Sequence, residues 1–228
     1  MYLLMVVVFV LGYLAIALEH PKYRENFLAS AIAGMRASAS AAHFFGPGHR
    51  KRWHITATAG TFGAVCAASA ALNLGNATAQ KAVHLAGTNM GGLGQVSREL
   101  QGTPRFNRAA AAALGVASAF SAYEGIPAIE NLWDGDRGLL EVFDLAGLIT
   151  DGALIKDGIS TVRVRTFPAT GFVQSALLGV SQLAQQHSAS GELKSLTVTV
   201  NSGVFPILND PKKQRWWNLA LKSAAAWA

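Results

Sequence analysis

The sequence predicts a mainly α-helical protein with a smaller α+β part towards its carboxyl end. Of its 228 residues, 51% are hydrophobic and only 14% are charged, which argues against a disordered chain. Alanine and glycine dominate the middle of the chain, as in helices that pack closely through small side chains. Alternation of polar and apolar residues, the period of a β-strand, occurs only in the last third. This length fits one large domain or two small ones.

Four helices are predicted in the middle of the chain, over residues 27–43, 56–74, 77–87 and 108–123. The second consists almost entirely of small residues, so it should be central and buried. Thr56 and Thr58 are candidate caps at its start. Glycines at 91, 92 and 94 predict a flexible segment before the fourth helix.

A strand–helix–strand unit is predicted near the end of the chain. Residues 159–167 and 193–201 alternate polar and apolar side chains and are rich in β-branched residues, as strands are. Residues 170–186 between them are amphipathic at helical spacing. Residues 212–215 form a polar break before a last helical segment.

The first eighteen residues carry no charge and are almost wholly apolar. A helix that spans a bilayer needs about 20 such residues, and the basic residues that follow favour a cytoplasmic body if it inserts. Residues 9–21 (FVLGYLAIALEHP) resemble the first membrane helix of NhaD-type sodium/proton antiporters. A transporter needs many spans and no second one follows. A membrane anchor, a buried helix and a junction between unrelated sequences stay open.

The formal net charge of +6 favours an anionic partner: nucleic acid, an anionic membrane or an acidic small molecule. Nucleic acid is the weakest of these, because the one dense basic run, residues 49–52, has no accompanying binding motif. We predict that this run is a solvated loop. Cys66 is the single cysteine, so an intrachain disulfide is excluded, and its alanine-rich surroundings predict a small core residue. Four histidines are predicted to be structural or exposed: His43, His49, His84 and His187.

Several short motifs follow one another in a specific order. They are GPGH (46–49), WHITATAGTFG (53–63), a helix ending at LG, AGTNMGGL (86–93), RAAAAALG (108–115) and EGI followed by DGDRGLLEVF (134–143). Each is weak alone, but their order over about 150 residues resembles the MmgE/PrpD family. That family includes 2-methylcitrate dehydratase, cis-aconitate decarboxylase and iminodisuccinate epimerase.

The resemblance implies a domain plan and a function. It implies a partial helical domain over residues 27–125 and an α+β lid domain over 126–211. Residues 212–228 would begin the helical segment in which the chain returns to the first domain, and residues 1–20 would be separate from these domains. An aspartate-rich segment and a histidine of the family are expected upstream, where this chain has apolar sequence, so the domain is predicted to be truncated. The implied activity is that of a lyase or isomerase on a small di- or tricarboxylate, by proton abstraction next to a carboxylate. The resemblance also implies that the protein uses no metal and no organic cofactor, forms a homodimer and is cytoplasmic. Membrane contact through residues 1–18 stays open.

His54 is the leading catalytic candidate. It precedes a predicted helix start, where backbone amides favour anions, and imidazole exchanges protons near neutral pH. The resemblance aligns it with an active-site histidine. Spacing alone leaves open a loop histidine bonded to a backbone carbonyl.

Four further residues are candidate substrate ligands. Thr56 and Thr58 can donate hydrogen bonds to a carboxylate or cap the helix. Arg105 lies near the place of an active-site lysine of the family, with Asn107 near a histidine. Its guanidinium can bind a carboxylate but cannot act as a base. Thr170 stands where some relatives have a substrate-facing histidine, and it can instead cap the following helix.

Three hypotheses stay open. The chain is an active enzyme of this family type, a truncated and inactive relative that retains part of the fold, or a membrane-anchored protein whose remaining part serves interaction.

Overall fold

The computed structural model of the chain describes residues 16–97, 103–145, 160, 162, 163, 165–167, 169, 171–186, 195 and 197–200. The chain divides into two compact units, Met1–Arg163 and Val164–Ala228. The described helices of the first unit are α1 (Phe27–Phe44), α2 (Gly46–His49), α3 (Ile55–Ala71), α4 (Asn76–Asn89), α5 (Thr103–Tyr123) and α6 (Leu139–Val142). Short 3-10 turns cover Pro21–Asn26 and Gly94–Ser97. In the second unit the 3-10 turn Gly171–Val173 precedes α7 (Gln174–Gln186).

Helix α3 is the centre of the first unit. It packs against α1, α4 and α5, and 13 of its 17 residues are buried. A helix can be surrounded in this way only if its side chains are small enough for its neighbours to approach. The prediction that this segment is central and buried is confirmed.

Two glycines permit the closest helix contacts. A Cβ at Gly63 of α3 would overlap the hydroxyl of Ser38 and lie 3.0 Å from the carbonyl oxygen of Gly34, both on α1. A Cβ at Gly115 of α5 would overlap the Cβ of Ala64 and lie 2.6 Å from the backbone nitrogen of Val65. The helix axes on both sides of α3 can therefore approach so closely only because these two positions lack a side chain.

A second core forms at the amino-terminal end of α3. Phe45 is fully buried and contacts the rings of Phe62 and Phe143, with centroids 6.0 and 5.2 Å away. Trp133 stacks on Phe62 at 5.5 Å. These aromatic rings fasten the loop around Trp133 and the short helix α6 to the α1–α3 pair, because large apolar rings gain most from burial.

Two helices end where a residue adopts the left-handed conformation, and one of these ends differs from the predicted bound. We predicted that α3 extends to about residue 74, but Asn73 has a φ of 53° and α3 ends at Ala71. The amides of Asn73 and Leu74 donate to the carbonyls of Ala70 and Ser69, the hydrogen-bond pattern of a Schellman motif. The same arrangement ends α5 at Gly125, whose φ is 85°.

The helical part of the predicted fold is confirmed, and the other elements differ. Neither Thr56 nor Thr58 caps α3: both lie inside it, and His54 occupies the cap position without a side-chain cap bond. Helix α7 confirms the predicted helix of the second unit. Its Leu177 and Val180, with Val173 of the preceding turn, form a small core against Phe167 and Ala169. The described residues within 159–167 and 193–201 form no strand, and the rest of those two predictions lies outside the described residues.

No helix among the described residues is both long and apolar enough to cross a membrane. Residues 1–15, most of the segment for which an anchor was considered, lie outside the described residues.

Candidate functional site

His54 is held where two loops meet. Its backbone amide donates to the carbonyl of Gly92 at 2.8 Å, and the amide of Gly94 donates to the carbonyl of Arg52 at 2.7 Å. These bonds make a short antiparallel bridge between Trp53 and Leu93. The glycine segment predicted to be flexible is thus fastened to the loop that carries His54, which fixes the backbone of this histidine.

Gly92 is required at this junction. Its φ is +119°, in the region that favours glycine, and a Cβ there would lie 2.7 Å from the Cβ of Ala57. The same Cβ would lie 3.3 Å from Nδ2 of Asn107 and 3.6 Å from the Cβ of His54. Gly92 therefore packs directly over the pair formed by His54 and Asn107.

The His54 side chain bonds to α5. Nδ2 of Asn107, in the first turns of α5, donates a hydrogen bond of 3.2 Å to Nδ1 of His54. Both residues are partly buried. The bond occupies one ring nitrogen and leaves Nε2 as the nitrogen available to a ligand.

Arg108 gives the surroundings of His54 a positive charge. Burial, and after it the charge of Arg108, lower the pKa of His54 below its usual value. The pKa of Arg108 is itself lowered, first by partial burial and then by the charge of Arg105. Arg105 and Arg108 are three positions apart on α5, so they share one side of that helix. The lowered pKa favours the neutral form of the His54 imidazole, which lies close enough to Arg108 to respond to its charge.

The start of α3 adds backbone donors. The amides of Ala57 and Thr58 donate to the carbonyl of His54 at 2.8 and 3.2 Å. Among the described residues, the amides of Ile55 and Thr56 donate to no carbonyl outside the helix. A helix start with such amides attracts anions, and its cap residue His54 bonds Asn107 of α5 and responds to the charge of Arg108.

Comparison with known protein families shows to which family this chain belongs. The family model of the MmgE/PrpD N-terminal domain matches residues 7–146. The chain belongs to the MmgE/PrpD family. Searches of curated proteins and of solved structures gave no match.

Membership in the MmgE/PrpD family confirms the resemblance drawn from the motifs around residues 53–63. The match begins at residue 7, so it includes most of the apolar segment 1–20. The resemblance of residues 9–21 to an antiporter helix is not supported. The match ends at residue 146, and the α+β lid domain predicted over residues 126–211 stays a prediction.

The predicted site residues of this MmgE/PrpD chain fall in different places. His54 and Arg105 lie on neighbouring loop and helix starts, and Arg105 is exposed. Thr56 is partly buried in the first turn of α3. Thr58 is fully buried and bonds His49, which places its hydroxyl in the core and not beside His54. Thr170 lies outside the described residues.

The basic run 49–52 is a solvated loop except at His49. Arg50, Lys51 and Arg52 are exposed, whereas His49 is 2% exposed, with its ring stacked on Phe45 at 4.5 Å. The pattern of four consecutive basic letters hides this difference, because the neutral form of histidine packs like an aromatic residue.

The other histidines follow the prediction where they are described. Nδ1 of His84 lies 2.7 Å from the carbonyl of Ile129, a structural bond, and His43 is exposed. His187 lies outside the described residues. Cys66 packs against the core as predicted, and burial raises the pKa of its thiol to about 11, so it is not an activated nucleophile.

The described residues contain no cluster of three histidine, cysteine, aspartate or glutamate side chains that could hold a metal ion. The DGDR segment after Trp133 is a turn, with Gly135 at a φ of +107°. The ion pair found within the described chain joins Arg52 to Asp144, at 3.5 Å and well exposed, and does not involve this turn.

Sequence reasoning missed two features of the site. The bond from Asn107 to His54 was not foreseen, because Asn107 was considered only as a replacement for a histidine of the family. Arg108 was assigned only to the helix. For Arg108 a signal was present in the sequence, because Arg105 and Arg108 have the spacing of one helix face.

Proposed function

We propose that this chain acts on a small di- or tricarboxylic acid, as a lyase or isomerase of the MmgE/PrpD type. The reaction begins with loss of a proton from the carbon next to a carboxylate. Water or carbon dioxide then leaves, or a proton returns from the other face. His54 is the side chain assigned to the reacting part of the substrate, where it assists proton transfer.

One observation carries the proposal. A partly buried histidine, whose pKa is lowered by burial and by the charge of Arg108, lies at the start of α3, so an imidazole and anion-binding groups converge on one place. Carboxylates bind arginine by charge-assisted hydrogen bonds and bind free amides at a helix start.

The other predicted substrate ligands do not all have a role in the proposed site. Arg105 and Arg108 hold carboxylates, and Thr56 offers a hydroxyl at the first turn of α3. Thr58 is left out because its hydroxyl is buried against His49. Thr170 keeps its place in the proposal as a candidate from the sequence only.

The test is turnover by the full chain. Purified protein is mixed with cis-aconitate, 2-methylcitrate and iminodisuccinate in turn, and product formation is followed by proton NMR, so that loss of water, loss of carbon dioxide and epimerisation are distinguished. His54→Ala should lower the rate about 100-fold or more, the range found when one hydrogen-bond donor to a developing negative charge is removed. His43→Ala, a change at an exposed histidine, should leave the rate unchanged.

Two outcomes oppose the proposal. Turnover that survives His54→Ala would remove His54 from the reaction. Absence of turnover and of binding for all three acids in the folded wild-type chain would favour the inactive relative over the enzyme.

A further inference from the structure

We propose that Asn107 is a positioning residue that holds His54 in one tautomer, with the ring proton on Nε2, so that His54 meets the bound acid as a hydrogen-bond donor. The tautomer follows from the described contacts alone. The role towards substrate rests on the proposed function.

The direction of the hydrogen bond decides the tautomer. Nδ2 of an asparagine amide has hydrogens and no lone pair to offer. Since Nδ2 of Asn107 lies 3.2 Å from Nδ1 of His54, Nδ1 must be the acceptor and so carries no proton. A neutral imidazole has one proton, which then sits on Nε2.

The packing around the pair prevents an easy exchange of partners. Asn107 is fixed within α5, and the backbone of His54 is bonded to Gly92. Gly92 packs so closely that a Cβ at that position would reach both Asn107 and His54. A ring flip of His54 would have to occur under this loop and would turn a carbon towards the amide donor.

The doubly protonated form is opposed by three features of the site. Imidazolium would direct an N–H at Nδ1 towards the N–H of Asn107, two donors facing each other. It would also place a positive charge beside Arg108, with Arg105 further along the same helix face. Partial burial removes water that would otherwise solvate the charge.

The tautomer decides how the His54 ring can interact with the substrate. The neutral ring offers Nε2–H to a carboxylate oxygen of the bound acid, and that bond is stronger the more negative charge the oxygen carries. Nε2 has no lone pair in this state, so His54 acts through this nitrogen as a hydrogen-bond donor and not as a base. Asn107 would touch no substrate atom and would act through His54.

The experiment reads the tautomer directly in the free protein. The full chain is labelled with ¹⁵N at histidine, and two-bond ¹⁵N–¹H correlation spectra at pH 8 report which ring nitrogen carries the proton. The His54 signals are assigned from their loss in His54→Gln. We expect a protonated Nε2 and an unprotonated Nδ1.

Asn107→Asp tests the cause. A carboxylate has nearly the shape of the amide but only accepts, so the His54 proton should move to Nδ1 and the titration midpoint should rise by about one pH unit or more. Asn131→Asp is the matched control: it adds the same charge at an exposed turn where Oδ1 already accepts from the amide of Asp134, and it should leave His54 unchanged. Asn107→Ala should give a mixture of tautomers, and circular dichroism verifies that each variant is folded.

A proton on Nδ1 in the wild type would overturn the proposal, as would an unchanged His54 tautomer in both folded Asn107 variants. These readouts need no substrate. Absence of turnover would therefore count against the proposed function and would leave the tautomer assignment standing.

Discussion

Nε2 of His49 lies 2.8 Å from Oγ1 of Thr58 in the core beside Phe45. The hydroxyl of Thr58 donates to the carbonyl of Ile55 at 3.5 Å, so Nε2–H of His49 is the donor of the shorter bond. Nδ1 of His49 is buried and has no hydrogen-bond partner among the described residues. The ring is therefore a neutral structural element, and a second proton would have no acceptor.

This pair predicts a specific loss of stability in acid. Burial, and after it the charge of Arg50, lower the pKa of His49 to about 4, below its ordinary value of about 6.5. Between these two pH values the unfolded chain binds more protons than the folded one. The free energy of unfolding should therefore fall as the pH drops through this window, by about 3 kcal/mol from this group.

The measurement is urea unfolding at a series of pH values between 7 and 4. His49→Phe keeps an aromatic ring and removes the titration, so the slope in this window should become shallower. His43→Phe, at an exposed position, should retain the wild-type slope. Equal slopes in the wild type and His49→Phe would contradict the prediction.

Gly92→Ala should destabilise the protein and disturb the His54 site. The new Cβ would lie 2.7 Å from the Cβ of Ala57 at a φ of +119°, which should lower the free energy of unfolding by about 2 kcal/mol or more. Gly91→Ala is the control, since a Cβ there would meet nothing within 4 Å. Denaturant unfolding of both variants checks the contrast, and equal stability would argue against the close packing of Gly92.

Gly115→Ala should separate α3 from α5. Its Cβ would lie 2.6 Å from the backbone nitrogen of Val65, and a backbone atom cannot move aside without moving the helix. We expect a loss of about 2 kcal/mol in the free energy of unfolding. Gly179→Ala, inside α7 with open space around it, should instead be neutral or stabilising by up to about 1 kcal/mol. Thermal unfolding followed by circular dichroism distinguishes the two signs.

Arg108→Gln should raise the pKa of His54, because one of the two causes that lower this pKa is the charge of Arg108. The same change should weaken binding of a tricarboxylate by about tenfold or more, the effect of losing one charge-assisted hydrogen bond. Histidine NMR titration gives the first quantity and calorimetry the second. The control is Arg137→Gln, at an exposed arginine in the turn after Trp133, which should change neither quantity. If Arg108→Gln left the pKa of His54 unchanged, the two side chains would not interact.

The sequence was sufficient to predict the helices and the family, because both depend on local patterns. Runs of alanine and glycine predicted a buried α3, and the motif order predicted the MmgE/PrpD family. The predicted end of α3 was wrong by three residues because Asn73, and not the nearby Gly75, adopts the left-handed conformation that ends the helix. Local patterns do not reveal which of two candidate residues takes the cap.

The candidate site was predictable only in part, because its contacts join residues far apart in the chain. His54 and Arg105 were identified by motif and charge. The bond from Asn107 to His54 spans 53 positions, and the burial of His49 depends on Phe143, which lies 94 positions further along the chain, as well as on the neighbouring Phe45. Such pairings come from packing, and one sequence without its fold does not contain them.

The central claim is that a small polycarboxylate binds beside His54, and one measurement tests it directly. Tricarballylate, an unreactive tricarboxylate, is added stepwise to the ¹⁵N-histidine-labelled full chain, and the ring signals of all histidines are followed. The account predicts a saturable shift of the His54 signals, with those of His84 and His43 unmoved. Saturating tricarballylate that leaves His54 unchanged, or that shifts His84 equally, would contradict it.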